Sequence, residues 1–225
     1  MTRLRVMTWN ILMGGRRGQP VTDVVRAVAP DVLLVNESPK TPLSWHRRCR
    51  QLADRWGMRY VIGGRPAGSN LVLVRPGIGV KAANAEVLRQ PFGKPRRGIA
   101  SAQLRVGGQL VGVVSCHLSL DRERRLHEAG EVARVAGRLR GPIVLGGDLN
   151  EPPDGPSWEV LRRAHFVDHG GRDWRTFPAD APKRRIDALL LCGSATVLHH
   201  GDPGVPTDLL AAASDHRPVL MELEL

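Results

Sequence analysis

Short apolar runs that end in polar residues alternate with stretches of helical spacing along most of the chain. Residues 3–7 lead into Thr8-Trp9-Asn10-Ile11 and predict a first strand. Val21, Val24, Val25 and Val28 recur at helical spacing, and Pro30 closes that helix. Asp31-Val32-Leu33-Leu34-Val35-Asn36-Glu37 is a short, fully apolar strand with polar residues at its end. Trp45, Cys49, Leu52, Ala53 and Trp56 share one helical face. Strands are predicted at 60–62, 71–74, 99–106 and 109–116, the last two joined by the two-residue hairpin signal Gly107-Gly108. The longest helix spans 121–140, with Asp121 as N-cap, Gly141-Pro142 as its stop, and Leu126, Ala129, Ala133, Ala136 and Leu139 as its apolar stripe. A strand at 142–145, a short helix at 158–164 and strands at 188–192, 196–199 and 218–225 complete the reading. Gly-, Pro- and Arg-rich segments at 13–20, 63–69, 90–98, 151–157, 168–184 and 200–214 read as loops.

The order of elements constrains the architecture. Strand, helix, strand over 3–36 and again over 109–147 predicts two parallel crossover units. There the polar groups Asn10, Glu37, His117 and Asp148 lie at strand C-terminal ends, whereas Asp187 and Asp215-His216 precede their strands. Both sets reach one edge only if the late strands run opposite to the early ones, so the sheets are mixed. No gap reads as a linker, and 225 residues fit one domain over 1–225 with a sizeable core.

A hydrophobic content of 42% excludes disorder, and no run approaches the roughly 20 apolar residues of a membrane helix. The N-terminus carries no export pattern. Cys49, Cys116 and Cys192 are widely spaced and odd in number, which reads as buried reduced thiols in a cytoplasmic protein. The net charge of +11 and pI near 11.0 favour an anionic partner, phosphate above all. Yet only four of the 33 cations are lysine, the bias that GC-rich coding also produces. Nothing in the sequence calls for an obligate protein partner.

Thr8-Trp9-Asn10, Asn36-Glu37, Cys116-His117-Leu118, Gly147-Asp148-Leu149-Asn150, Arg185-Ile186-Asp187 and Ser214-Asp215-His216 follow one another in the order and approximate spacing of the endonuclease/exonuclease/phosphatase superfamily. That group includes DNase I-like nucleases, abasic-site nucleases, inositol polyphosphate phosphatases and sphingomyelinases, and the chain resembles it from residue 8 to 218. The resemblance implies a four-layer α/β/β/α sandwich of two packed mixed sheets, with the site at one edge. It also implies Glu37, Asn10 and Asp215 as ligands of a hard cation, Mg²⁺ with Mn²⁺ as a substitute, in keeping with oxygen donors. Asp187 would orient His216, which acts as general base or stabilises developing charge. Asp148 would position or deprotonate water, Asn150 would donate its amide to a phosphate oxygen, and His117 would face phosphate or leaving group. Arg97 is a further candidate phosphate contact, as guanidinium forks are.

The sole tyrosine, Tyr60, lies too early to be the pocket tyrosine of abasic-site nucleases, and the chain is too compact for long DNA-gripping insertions. The expectation is a Mg²⁺-dependent phosphodiesterase acting on nucleic acid. A phosphodiesterase or phosphatase for a small or lipid-borne phosphate is the alternative, and an inactive nucleic-acid-binding module the third reading. Integral membrane association is not expected.

Overall fold

Trp9 and its neighbours explain why the central strands read as unbroken apolar runs. Along β1 (Arg3–Asn10), Leu4 and Val6 face one buried cluster while Met7 and Trp9 face another. A strand covered on both faces shows no alternation. This computed structural model describes residues 2–15, 18–171 and 173–225. After β1 come α1 (Leu12–Gly15), α2 (Gln19–Val28), β2 (Val32–Asn36), α3 (Trp45–Arg55), β3 (Arg59–Gly64) and β4 (Asn70–Val74). Next are β5 (Gly79–Leu88), β6 (Arg97–Val106), β7 (Gln109–His117), α4 (Arg122–Ala136), β8 (Ile143–Asp148) and α5 (Pro156–Arg163). β9 (Asp187–Cys192), β10 (Thr196–Gly201), α6 (Thr207–Ala213) and β11 (Val219–Glu224) close the chain.

The strands form two mixed sheets, ordered β10-β11-β1-β2-β4-β3 and β5-β6-β7-β8-β9. Both crossover units are parallel, β1 with β2 and β7 with β8, while β9 and β11 run antiparallel to β8 and β1. Three apolar layers hold the sandwich together. Between the sheets, Leu4, Val6, Leu34 and Val72 meet Val111, Val113, Val144 and Leu189. Outside the first sheet, Met7, Trp9, Leu33 and Val35 pack against α2, α3 and α6; outside the second, Val114, Cys116, Leu145 and Leu190 pack against α4 and α5. The result is the α/β/β/α arrangement that the motif order implied. At Gly146 a Cβ would lie 2.7 Å from Leu34, 2.8 Å from Leu189 and 3.0 Å from Thr8, so glycine lets the sheets approach closely just before Asp148.

Several elements depart from the sequence reading. β5 has no apolar run because it is an edge strand paired only with β6 and mostly exposed. α6 falls in a segment that reads as loop, because seven residues are too few to display a period, yet Leu210 and Ala213 are buried. The buried face of α4 is rotated from the expected stripe and includes Arg125 and Glu128. β8 extends beyond the expected 142–145 to end at Asp148. No described helix is long and apolar enough to cross a membrane.

Cys49 and Cys116 are buried, and burial pushes the Cys49 thiol up to about 11 and raises that of Cys116 further. Cys192, expected to be buried, is only half-buried. Ellman's reagent at pH 8 should therefore titrate one thiol in the folded protein and three in guanidinium. Three reactive thiols without denaturant would contradict the packing.

Candidate active site

The alternation that builds the core between the sheets carries on past it and turns polar. Leu4, Val6, Thr8 and Asn10 share one face of β1, and Val32, Leu34 and Asn36 share one face of β2. Opposite them, Ser115 and His117 continue the face of Val111 and Val113, Asp148 that of Val144, and Asp187 that of Leu189. His117 pairs in register with Asp148, and Asp148 with Asp187, so one row across three strands presents an imidazole and two carboxylates. His216 completes the group from the loop before β11. All four residues are at most 6% exposed.

His216 Nδ1 lies 2.8 Å from Asp187 Oδ2, and its Nε2 lies 3.8 Å from Asp148 Oδ2. His117 Nε2 is 3.3 Å from the same Asp148 oxygen, and Asn10 donates its amide to it at 3.2 Å. The other Asp148 oxygen accepts the Asn150 N–H at 3.0 Å. Trp9 Nε1 donates to the His216 carbonyl at 2.8 Å, and the Phe177 ring packs 4.8 Å from the imidazole. These contacts leave His216 little rotational freedom.

Crowding sets the protonation states. Burial, and then the charge of Asp187, pushes Asp148 up to about 7. Burial opposes the His216 cation, but the charge and hydrogen bond of Asp187 outweigh it and raise His216 to about 9. Burial, reinforced by the cations Arg97 and His216, holds His117 well below the usual imidazole range. At neutral pH the site thus contains a charged imidazole, a neutral imidazole and a carboxyl group poised to titrate.

The predicted residues fall in three places. Asp148, Asp187, His216 and His117 form the cluster just described. Glu37 lies beside it: its Oε1 accepts from Asn10 at 3.4 Å and its Oε2 accepts the Met13 N–H at 3.1 Å. With Arg97 and His117 it lines a cleft of about 420 Å³ whose other charges, Lys40, Arg65 and Arg96, are positive. Burial lowers the pKa of Arg97, opposed by the charges of Glu128, Asp148 and Glu37. Asp215 is half-buried; its Oδ1 lies 3.4 Å from Ser214 Oγ, whose hydrogen goes to the Asn10 carbonyl at 2.7 Å. Asn150 uses an amide hydrogen on the Leu118 carbonyl at 2.9 Å, tying the loop after β8 to the loop after β7.

The residues fit a hard cation. Glu37 has no cation within salt-bridge distance among the described residues, although the cleft around it is basic. Asp187 Oδ1 is buried with no hydrogen-bond partner. Asn10 turns its amide nitrogen, not its oxygen, toward Glu37 and Asp148, so here it spaces two carboxylates. Ligand atoms of Asp148, Asp187 and His216 lie within 4.8 Å of one another, but the bond between His216 and Asp187 already joins two of them. Glu37 and Asn150 adopt left-handed backbone, with φ of 57° and 52°; for glutamate this is strained conformation held in place at a site.

Sequence reasoning assigned no role to Asn36, Asn70 or Thr176. Asn36 accepts the Asp148 N–H and donates to the Cys116 carbonyl and to Asn70, all at 2.8 Å, stitching the sheets together beneath the cluster. Its signal was a polar residue on the inward face of an otherwise apolar strand. Thr176 Oγ1 accepts the Ile186 and Asp187 N–H groups from a segment that reads only as loop. Arg125 and Glu128 lie outside the apolar stripe expected of α4 and were assigned no role. Instead Arg125 donates to Glu151 Oε1 at 3.1 and 2.8 Å, and Glu128 accepts from Ser119 and Gln90.

The sequence pattern of the Endonuclease/Exonuclease/phosphatase family matches residues 7–216. No curated protein matches the sequence. The fold is similar to an endonuclease/exonuclease/phosphatase of Bacteroides vulgatus, with 18% identity, all of both chains covered and a TM-score of 0.78. It is similar to the mannosyl-6-phosphatase of Bacteroides thetaiotaomicron, with 18% identity, 99% of this chain and 100% of that one covered and a TM-score of 0.80. A protein of Beutenbergia cavernae bearing the same family description is 24% identical over 100% of this chain and 72% of its own, with a TM-score of 0.74.

Proposed function

Because the chain belongs to the endonuclease/exonuclease/phosphatase family of phosphoester hydrolases, we propose that it hydrolyses a phosphodiester by in-line attack of water, with a nucleic-acid strand as its substrate. The observation that carries this reading is the cluster of His216, Asp187, Asp148 and His117, joined by contacts of 2.8 to 3.8 Å where the sheets open. The basic rim of the adjoining cleft supports an anionic substrate.

Each side chain has a task that its protonation state permits. Asp148, near 7, accepts the proton of the attacking water, since a base works best when its pKa lies near the working pH. His216, near 9, remains cationic and donates from Nε2 to a phosphate oxygen as charge builds there, held by Asp187 on its other nitrogen. His117 is neutral and orients Asp148. Arg97 and Asn150 draw the phosphate into the cleft. Glu37 and Asp215 would hold Mg²⁺ or Mn²⁺, which when bound neutralises phosphate and leaving-group charge; Asn10 would join them only by turning its amide oxygen toward Glu37. Binding alone does not require buried carboxylates within a basic protein, which speaks against an inactive module.

Hydrolysis of bis-p-nitrophenyl phosphate with Mg²⁺ or Mn²⁺ is expected, with loss in EDTA and recovery on adding metal back. Asp148→Asn should abolish most of it and also stabilise the protein in a pH-dependent way. The folded pKa near 7 exceeds the ordinary 3.8, so ionising Asp148 opposes folding as pH rises above 3.8. The variant should melt above wild type at pH 8 and level with it at pH 4. A wild type that hydrolyses nothing, or a variant that retains full turnover, would refute the reading.

A phosphatase acting on a small phosphate ester is the second reading, favoured by the modest cleft and by the likeness to the mannosyl-6-phosphatase. Parallel assays on single-stranded DNA, RNA, sugar phosphates and phosphoinositides separate the two. Turnover of small esters alone, with no competition by nucleic acid, would favour the phosphatase.

A further inference from the structure

A second concavity, of about 590 Å³, is lined by Arg184, whose guanidinium lies over the Phe177 ring that packs on His216. Five cations line it, Arg162, Arg175, Lys183, Arg184 and Arg185, against the single carboxylate Asp154. Two of the five are already neutralised: Arg162 pairs with Glu159, and Arg185 is buried in a pair with Asp168. Arg175, Lys183 and Arg184 are exposed and have no acidic partner among the described residues.

The segment that bears these three residues is braced against the cluster. Lys183 and Arg184 N–H groups donate to the Phe177 carbonyl at 2.9 Å, and Thr176 N–H donates to the Arg184 carbonyl at 2.8 Å. Thr176 Oγ1 accepts from Asp187 N–H, its carbonyl accepts from Arg217 N–H, and Ala179 N–H donates to the Asp215 carbonyl. Phe177 joins the two sites. Its ring centroid lies 4.8 Å from that of His216 and 5.2 Å from the Arg184 guanidinium carbon, which places guanidinium and imidazole within about 10 Å of each other. A strand covers that distance in two or three nucleotides at about 3.4 Å per stacked base. Between two bound phosphates, Phe177 offers an apolar surface.

We propose that this basic pocket is a subsite for a second phosphate group of the substrate, received by Arg175, Lys183 and Arg184 while the first phosphate occupies the cluster. The proposal rests on the phosphoesterase reading, but its test does not depend on turnover. Fluorescein-labelled thymidine decanucleotide is titrated in EDTA by anisotropy against wild type, the triple variant Arg175→Ala/Lys183→Ala/Arg184→Ala, and a control, Arg47→Ala/Arg48→Ala/Arg50→Ala, that removes the same charge from α3. The subsite variant should bind roughly tenfold or more weakly than the control, since each lost contact is charge-assisted. Its logarithmic salt slope should be shallower than wild type by about 0.7, as expected for one phosphate lost from the contacts with a single strand. Hydrolysis of bis-p-nitrophenyl phosphate, which carries one phosphate, should be the same in both variants and the wild type. Displacement of the label by fructose 1,6-bisphosphate at concentrations where inorganic phosphate fails would identify a bisphosphate as an acceptable source; displacement only by unlabelled oligonucleotide would identify the strand. Equal losses in subsite and control variants, or none in either, would overturn the proposal, because long-range attraction would then account for binding.

Discussion

Replacing His216 by alanine is expected to lower kcat on bis-p-nitrophenyl phosphate about a thousandfold, in the range that a positioned acid–base group contributes. Among the described residues the imidazole is the one cation within 4 Å of both carboxylates, at 2.8 Å from Asp187 and 3.8 Å from Asp148. Alanine also leaves Asp187, 1% exposed, as a buried charge without its partner. Melting should fall by several degrees while far-UV circular dichroism is unchanged. The double variant Asp187→Asn/His216→Ala separates the two effects: it should recover much of the melting temperature and none of the activity. Turnover within tenfold of wild type in the single variant would remove the imidazole from the mechanism.

The second large effect lies in the loop that carries Asn150. Glu151 is 4% exposed and Arg125 8%. Arg125 grips Glu151 Oε1 with two N–H groups and donates its third contact group to the Ser119 and Leu120 carbonyls, while Glu151 Oε2 accepts the Ser157 N–H at 2.7 Å. Glu151→Ala leaves a buried guanidinium unpaired, a change that costs about 3–5 kcal/mol. At about 2–4 °C per kcal/mol for a chain of this size, thermal unfolding should drop by about 10 °C. Activity should also fall at temperatures below the new melting point, because Asn150 sits on the loosened loop and its N–H holds Asp148 Oδ1. Arg125→Met/Glu151→Leu, which removes both charges together, should regain most of the stability. A melting shift under 2 °C for the single variant would show that water reaches the guanidinium.

How legible these features are in the sequence depends on what makes them. Direction of the strands was readable, because Asn10, Glu37, His117 and Asp148 follow their apolar runs while Asp187 and Asp215-His216 precede theirs, and one edge can collect both only in mixed sheets. The layers were implied by the family resemblance, and the structure gives their physical reason: a run such as Val32–Val35 has no polar face because both sides are covered. β5 was not readable, since its outward Lys81 and Glu86 and its single neighbour leave no run to see. The face of α4 misled for a different reason. Leu126 and Ala133 look more apolar than Arg125 and Glu128, yet the charged pair is buried because Glu151, Ser119 and Gln90 lie beneath it, information that resides in distant segments. Likewise, motif residues could be gathered into one cleft from order alone, but their partners could not. That Asn10 turns nitrogen to two carboxylates, or that Thr176 holds the backbone of Asp187, follows from register and loop path.

Asn10 ends β1 and Glu37 follows β2 in one sheet, and His117, Asp148 and Asp187 belong to the other. The seam between the halves of the molecule therefore runs through the candidate site, and Asn36, with its bonds to Asp148 and Cys116, is the rivet across it. Neither half carries the whole proposed set of groups, so a partly unfolded form in which one sheet has slid from the other is expected to turn over no substrate. A ligand gripping both banks resists that shear, and hydrolytic competence reports on whether the whole sandwich is closed.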